Sequence, residues 1–409
     1  MGTIMRTPSA WLAQAFSNVG HSYSHILTIL YPTVVLALER EWSMSYGELI
    51  GLMLAGQILF GAAALPAGWL GDRWSMLAMM VLFFLGSGVA AILTGLSRNP
   101  LEIALGLALV GTFASIYHPV GMAWLVREAV NRGKALGING IFGAVGLASG
   151  PIIAGVLTDM ISWRAAFIIP GATAALFGIA LAMVWALGLV RESKADIKPQ
   201  PAPARGDAVR AFVILSVTML CTGFLSSAYM VALPKIFADG LKGVTSSAVL
   251  GAGAMVTVVY LFGGLAQYVG GRLCDRFPMK NVYIVGAAVQ TPLLFASAMV
   301  DSIALLLPLL MTTVFFQIVA NPAENGLLAH FTPGKWRATA YGAKFVLALG
   351  VAALAIPAIG WIHDTTGGFT PLYLIAGSLS AIALTASFLL PNDRATKEPA
   401  LAAVPQPAE

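Results

Sequence analysis

Three histidines stand inside long apolar runs. His21 and His25 lie near the start of the chain, and His118 sits in Tyr117-His118-Pro119-Val120-Gly121. Histidine ordinarily titrates near neutral pH, so an imidazole in such surroundings suits a group that takes up and releases a proton. His21 and His25 are four residues apart and share one helix face. A second set of polar groups lies a little beyond residue 315. Gln317, Asn321 and Glu324 follow the i, i+4, i+7 spacing of one helix face. Lys344, in the next apolar run, offers Glu324 an opposite charge that would lower the cost of burying either group. An ionisable residue inside a lipid-spanning segment marks a functional site by default, so Glu324 leads the candidates for a proton carrier. A permanent Glu324–Lys344 pair would instead be structural. Tyr229 is a further polar group on the expected pathway, and Lys235, Gln57 and Asn139 are lesser ones. A metal is not expected, because the three histidines come without a nearby carboxylate or thiolate. The chain contains no H-E-x-x-H, G-x-S-x-G or G-x-x-x-x-G-K-[ST] pattern. Neither enzyme chemistry, a cofactor nor ATP-driven pumping by this chain is therefore expected.

These groups need elements that carry them through an apolar medium. Of the 409 residues, 58% are hydrophobic and only 10% charged, where a soluble domain holds about 25% charged residues. The composition is that of an integral membrane protein, and 43 glycines and 22 prolines suit membrane helices, which tolerate both. A span needs about 20 mostly apolar residues. Twelve such runs occur, over 10–38, 47–70, 76–96, 101–126, 135–158, 164–189, 211–237, 247–270, 281–299, 303–329, 337–362 and 370–390. The first is too long for a signal-peptide core. Cys221 falls in a span and Cys274 in a loop, with no disulfide framework. The stretch 191–210, rich in proline and charge, reads as a linker. The expected plan is a six-helix bundle over 1–190, a cytoplasmic linker over 191–210, a second six-helix bundle over 211–391 and a cytoplasmic tail over 392–409.

Lys and Arg set the orientation. With the N-terminus inside, the inner segments hold 17 of the 23 basic residues, the turn with Arg127, Arg132 and Lys134 among them. The outer segments hold Arg40, Arg98, Arg164, Lys235 and Lys242, and Lys344 lies in a span. Both termini are thus expected in the cytoplasm, in a bacterial-type inner membrane. The net charge of +5 is explained by topology, and no nucleic-acid partner is expected. At about 1.5 Å per residue, His21 lies about 15 Å into the first run, His118 about 12 Å and Glu324 about 9 Å from the inner ends of theirs.

The two halves repeat. Asp72–Arg73 recurs as Asp275–Arg276, His118–Pro119 as Asn321–Pro322, and Lys134–Ala135 as Arg337–Ala338, always at one offset. Such a repeat implies two bundles of the same topology related by an axis along the membrane normal.

Twelve spans, a central linker, parallel half repeats and the turn Gly68-x-x-x-Asp72-Arg73 resemble the major facilitator superfamily. The basic end of that family's turn is replaced here by Trp74-Ser75-Met76-Leu77. The resemblance implies an all-α fold of two six-helix bundles related by pseudo-two-fold symmetry, with spans 1, 4, 7 and 10 lining a central cavity. It also implies a cytoplasmic gate held by Gly68, Asp72 and Arg73 and by their copies Asp275 and Arg276. Residues 146–155, Gly-Leu-Ala-Ser-Gly-Pro-Ile-Ile-Ala-Gly, are similar to the span 5 pattern of proton-exchanging exporters through Gly146, Gly150, Pro151 and Gly155, with Ala154 in place of a usual glycine. Apart from the analogy, Gly146 and Gly150 share a face that admits a close neighbour, and Pro151 permits a bend. Trp163-Arg164-Ala165-Ala166-Phe167 is also usual in the superfamily. His21, His25, Ala64-Leu65-Pro66 and Tyr117-His118-Pro119-x-Gly121 are similar to the branch of fosmidomycin-resistance exporters. The expectation is a monomeric secondary transporter in the lipid bilayer, exporting a small-molecule substrate against protons. Symport or facilitated import of a small metabolite or organic anion is the alternative, and a receptor or scaffold without transport is another.

Overall fold

Each apolar run becomes a helix, because a backbone in lipid has to satisfy its own amides and carbonyls. The computed structural model describes residues 8–129, 132–191, 205–242, 248–332 and 337–393. Six long helical segments make the first half: α1 Pro8–Trp42, α2 Tyr46–Arg73, α3 Met76–Gly95, α4 Pro100–Glu128, α5 Arg132–Met160 and α6 Ala165–Ala186. Six more make the second: α7 Arg205–Gly240, α8 Ala248–Arg276, α9 Met279–Ser297, α10 Ile303–Phe331, α11 over 337–366 and α12 Thr370–Phe388. Ten hold a stretch apolar and long enough for a bilayer core, and α1 and α9 are the more polar pair. The linker residues 192–204, the tail beyond 393 and the side chains of Arg132 and Lys134 lie outside the described residues. One sequence placement shifts: Cys274 lies near the end of α8 rather than in a loop. Lys235, inside the 211–237 run though counted with the outer segments, is buried in α7.

Local chemistry fixes the turns. Ser45 caps α2 in a capping box with Glu48, Ser75 caps α3, and Asn99 caps α4 just before Pro100. Gly367 takes a φ of +70° between α11 and α12, where a side chain would be strained. The outer surface is apolar: Leu101, Leu105 and Leu109 form an exposed stripe on α4, and Leu261 and Leu265 do so on α8. In water so large an apolar surface would aggregate; facing lipid it is solvated.

The packing repeats between the halves. α3 lies against α6 as α9 lies against α12, α2 against α4 as α8 against α10, and α1 against α5 as α7 against α11. The bundles meet through α5 on α8 and through α2 on α11, pairs that a two-fold axis exchanges.

The apolar core is not uniform along that axis. At the end bearing the α1–α2 and α11–α12 turns, one cluster takes residues from both bundles, including Leu30, Val34, Leu49, Leu233, Phe237 and Ile359. Toward the opposite end, where residues 8 and 393 lie, it divides. One cluster belongs to the first half, around Met80, Phe83, Tyr117 and Trp124. Another belongs to the second half, around Leu215, Tyr283, Ala323 and Leu327. Among the described residues the molecule thus has a joined end and a split end.

Candidate functional site

Proline at 119 removes a backbone donor in the middle of α4, and the helix widens into a π-turn over Tyr117–Gly121. That turn carries His118 toward α1. The rings of His21, His25 and His118 form a triangle, with centroids 5.1, 5.4 and 5.5 Å apart. His21 Nδ1 lies 2.8 Å from the backbone oxygen of Asn139. A carbonyl only accepts, so Nδ1 holds the hydrogen and Nε2 is left with a lone pair. The buried Asn139 side chain donates to Asn18 Oδ1 at 3.1 Å and bonds the Tyr117 hydroxyl, tying α5 to α1 and α4. Tyr117 stacks on His21 at 5.0 Å. On the far side His118 stacks on Phe345 of α11 at 5.1 Å, a contact between bundles. Phe345 directly precedes a second π-turn, Val346–Val351.

The second half holds the other cluster. Lys344 Nζ lies 2.7 Å from Glu324 Oε1 and donates to Asn325 Oδ1 at 2.6 Å. The Tyr283 hydroxyl donates to Glu324 Oε2 at 3.1 Å, and Thr222 does so at 3.4 Å. Glu324 is 4% exposed, so this carboxylate is held by neighbours rather than by water. Gln317, Asn321 and Glu324 line one small cavity inside the bundle, together with Gln290 and Ser380. Gln317 donates to Ser226 at 2.8 Å, while Asn321 is largely exposed. Tyr229 joins neither cluster. It is packed in the joined core, and its hydroxyl has no hydrogen-bond partner among the described residues.

The glycines of α5 work on two sides. A β-carbon at Gly143 would lie 2.5 Å from the His21 ring, at Gly146 2.4 Å from the Ser22 carbonyl and at Gly150 2.2 Å from Ile29, all on α1. One at Gly155 would lie 2.9 Å from Leu250 of α8, and one at Gly253 2.3 Å from the Pro151 carbonyl. The expected gate residues behave differently. Gly68 packs beside Pro119, and Arg73 covers the Trp69 ring at 4.4 Å. Asp72, Arg73, Asp275 and Arg276 are exposed, with no ion pair among the described residues.

The ionic contacts between bundles gather instead at the joined end. Lys235 Nζ bonds both oxygens of Glu39, at 2.7 and 2.8 Å. Asp364 receives the Gly47 amide and the Ser45 hydroxyl, the latter at 2.7 Å. Within the second bundle Asp239 meets His363 Nε2 at 3.2 Å, and across the interface the Tyr46 hydroxyl donates to the Val231 carbonyl at 3.0 Å. Asp159 accepts the Leu250 amide at 3.0 Å. Sequence reading missed Glu39, Asp239, His363 and Asp364 because charges at helix ends read as ordinary interfacial residues. Extending the spans by one turn would have flagged them.

The family model of the Major Facilitator Superfamily matches residues 16–257 and again residues 215–408. The chain belongs to this superfamily. Its members are membrane transporters rather than enzymes, and the double match reflects the two bundles. Superposed on the crystal structure of a bacterial homolog of the human lysosomal transporter Spinster, in its inward-facing and occupied conformation, the chain gives a TM-score of 0.72. The two share 16% identity over 94% of this chain and 95% of that one, a likeness of fold. The chain is 24% identical over 388 residues to the probable sulfoacetate transporter SauU of Cupriavidus necator, covering 86% of this chain and 87% of that protein. It is 32% identical over 148 residues to the puromycin resistance protein pur8 of Streptomyces alboniger, a match spanning 34% of this chain and 29% of that protein.

Proposed function

We propose that this superfamily member is a secondary active transporter that exports a small molecule in exchange for protons. It would work by alternating access in a bacterial-type inner membrane, with the split end and both termini facing the cytoplasm. The observation that carries the reading is the division of the apolar core, continuous across both bundles at one end and separate at the other. Such a molecule rocks about its centre: breaking the joined end and closing the split end moves a midplane site from one side to the other. Glu324 is the proposed proton carrier. A buried carboxylate with one cationic partner becomes neutral when protonated, which frees Lys344 and removes the ion pair. His21, His25 and His118 are the proposed lining of the pathway in the first half, and Gln317 and Asn321 in the second. Export is supported by the glycine–proline pattern of α5 and by a relative known as a resistance protein. A second reading, uptake of an organic anion with protons, is favoured by the relative described as a probable sulfoacetate transporter and by the cationic Lys344.

The test uses purified protein in liposomes with an internal pH dye, given pools of antibiotics and small metabolites. Internal alkalinisation as a compound enters is the expected result, because protons leave in exchange. Internal acidification would replace export by symport. Labelled substrate that equilibrates with no pH response would make the protein a facilitator, and no flux from any pool would favour a receptor or scaffold.

A further inference from the structure

We propose that His21, His25 and His118 form a binding site for a divalent first-row transition metal ion of the zinc type. One ligand nitrogen from each ring can be chosen so that all three lie within 4.8 Å of one another. Zinc–imidazole bonds are about 2.0–2.1 Å, so two nitrogens on one ion stand about 3.4 Å apart in a tetrahedral site. Ring rotations close the remaining gap, about 1.4 Å at its widest. Among the described residues no hydrogen bond holds a ring nitrogen of His25 or His118 in place.

The scaffold suits the task. His21 and His25 are one turn apart on α1, the spacing by which two histidines of one helix face take a single ion. The third ligand comes from the π-turn of α4. His21 is already oriented as metal-bound histidines are: one nitrogen donates to a backbone carbonyl, that of Asn139, and the other is free to ligate. Gly143 leaves the space this ring needs. With the His21 N–H already given to the Asn139 carbonyl, the cluster keeps three lone pairs against two N–H donors, and a polar group below the surface needs a partner. One cation satisfies all three lone pairs. An all-imidazole donor set selects zinc, copper, nickel or cobalt over magnesium and calcium. Three protein ligands leave a fourth position for water or an anionic group. His118 also stacks on Phe345 across the bundle interface, so a ring turned onto a metal alters a contact between bundles.

The sequence alone set a metal aside because no carboxylate or thiolate lies near. The fold supplies the third imidazole from 93 residues beyond His25.

The test takes full-length protein, freed of any polyhistidine tag and stripped with chelator, and titrates Co2+ by visible absorption and Zn2+ by calorimetry. One ion per chain is expected, with the strong visible band of low-coordinate cobalt. His25→Ala and His118→Gln should each weaken binding by at least about 100-fold, and His330→Ala should leave it unchanged. Thermal unfolding and gel filtration establish that each variant is folded. Wild-type protein that binds no stoichiometric ion would overturn the proposal. So would an ion that survives both variants, or one lost only with His363→Ala, which would belong to the joined end. The readout is binding, so it stands or falls apart from the direction of transport.

Discussion

Glu324 brings a negative charge into an apolar interior, and its three partners define what the charge can do. Lys344 neutralises it at 2.7 Å, while the hydroxyls of Tyr283 and Thr222 occupy the other oxygen. If this carboxylate carries the coupled proton, Glu324→Gln should reduce accumulation driven by a pH gradient to background. Substrate exchange at equal pH should stay within about threefold, because the amide keeps the size and one acceptor of the acid. Accumulation at the wild-type level in that variant would exclude Glu324 as the carrier. The pair also makes a stability prediction. Removing one partner of a buried ion pair costs about 3–5 kcal/mol in soluble proteins, whereas removing both charges is often nearly neutral. Lys344→Ala should therefore lower the thermal midpoint, and adding Glu324→Gln should recover most of the loss; additive losses in the double variant would mean that the two groups act independently. The facing of Glu324 and Lys344 was legible in the sequence, because helical spacing and depth put both at one level. The role of Asn139 was not. Its bonds to Asn18, Tyr117 and His21 depend on how three helices cross, and no periodicity encodes that.

At the scale of the element, α5 links the histidine cluster to the bundle interface. Its glycines admit α1 on one side, and the Pro151 carbonyl and Gly155 admit α8 on the other. Gly150→Leu would drive a branched side chain into Ile29, and overfilling of a packed interior typically costs about 1–3 kcal/mol. The expected outcome is a protein that still inserts but transports at least about tenfold more slowly, measured as flux per inserted molecule. Gly140 on the same helix meets nothing within 4 Å, so Gly140→Ala should behave like wild type, within about 0.5 kcal/mol of its stability. Equal activity in both variants would show that the face does not set the motion. The existence and order of all twelve helices could be read from apolar length, and the close packing of α5 from Gly146, Gly150 and Pro151. What could not be read was the partner of each face. Gly143 faces a histidine and Gly155 a helix of the other half, and only the three-dimensional arrangement separates them. The π-turn at Pro119 was likewise hidden, since proline signals a break in the ladder but not the form the helix takes around it.

At the scale of the whole molecule, the question is what holds the joined end shut. Lys235 is 8% exposed and bonds Glu39 through both carboxylate oxygens, while Asp364 caps the start of α2 from the other bundle. These contacts exist only while the two bundles meet at that end, so they stabilise one state of the rocking equilibrium and not the other. Each 1.4 kcal/mol of such differential stabilisation is a factor of ten in population. Glu39→Gln with Asp364→Asn weakens two charged contacts, each worth about 1.5–3 kcal/mol, and should move the equilibrium at least tenfold toward the state open at that end. Spin labels at Leu96 and Met299, exposed on turns of opposite bundles at the joined end, report it once Cys221 and Cys274 are replaced by serine. The expected result is a longer distance component that grows in the double variant and shrinks when the exchange of Glu39 and Lys235 restores an opposite-charge pair. Unchanged distances would mean that apolar packing around Leu30, Leu233 and Ile359 closes that end without help from the charges. The ionic contacts would then add direction to the closure without setting its depth.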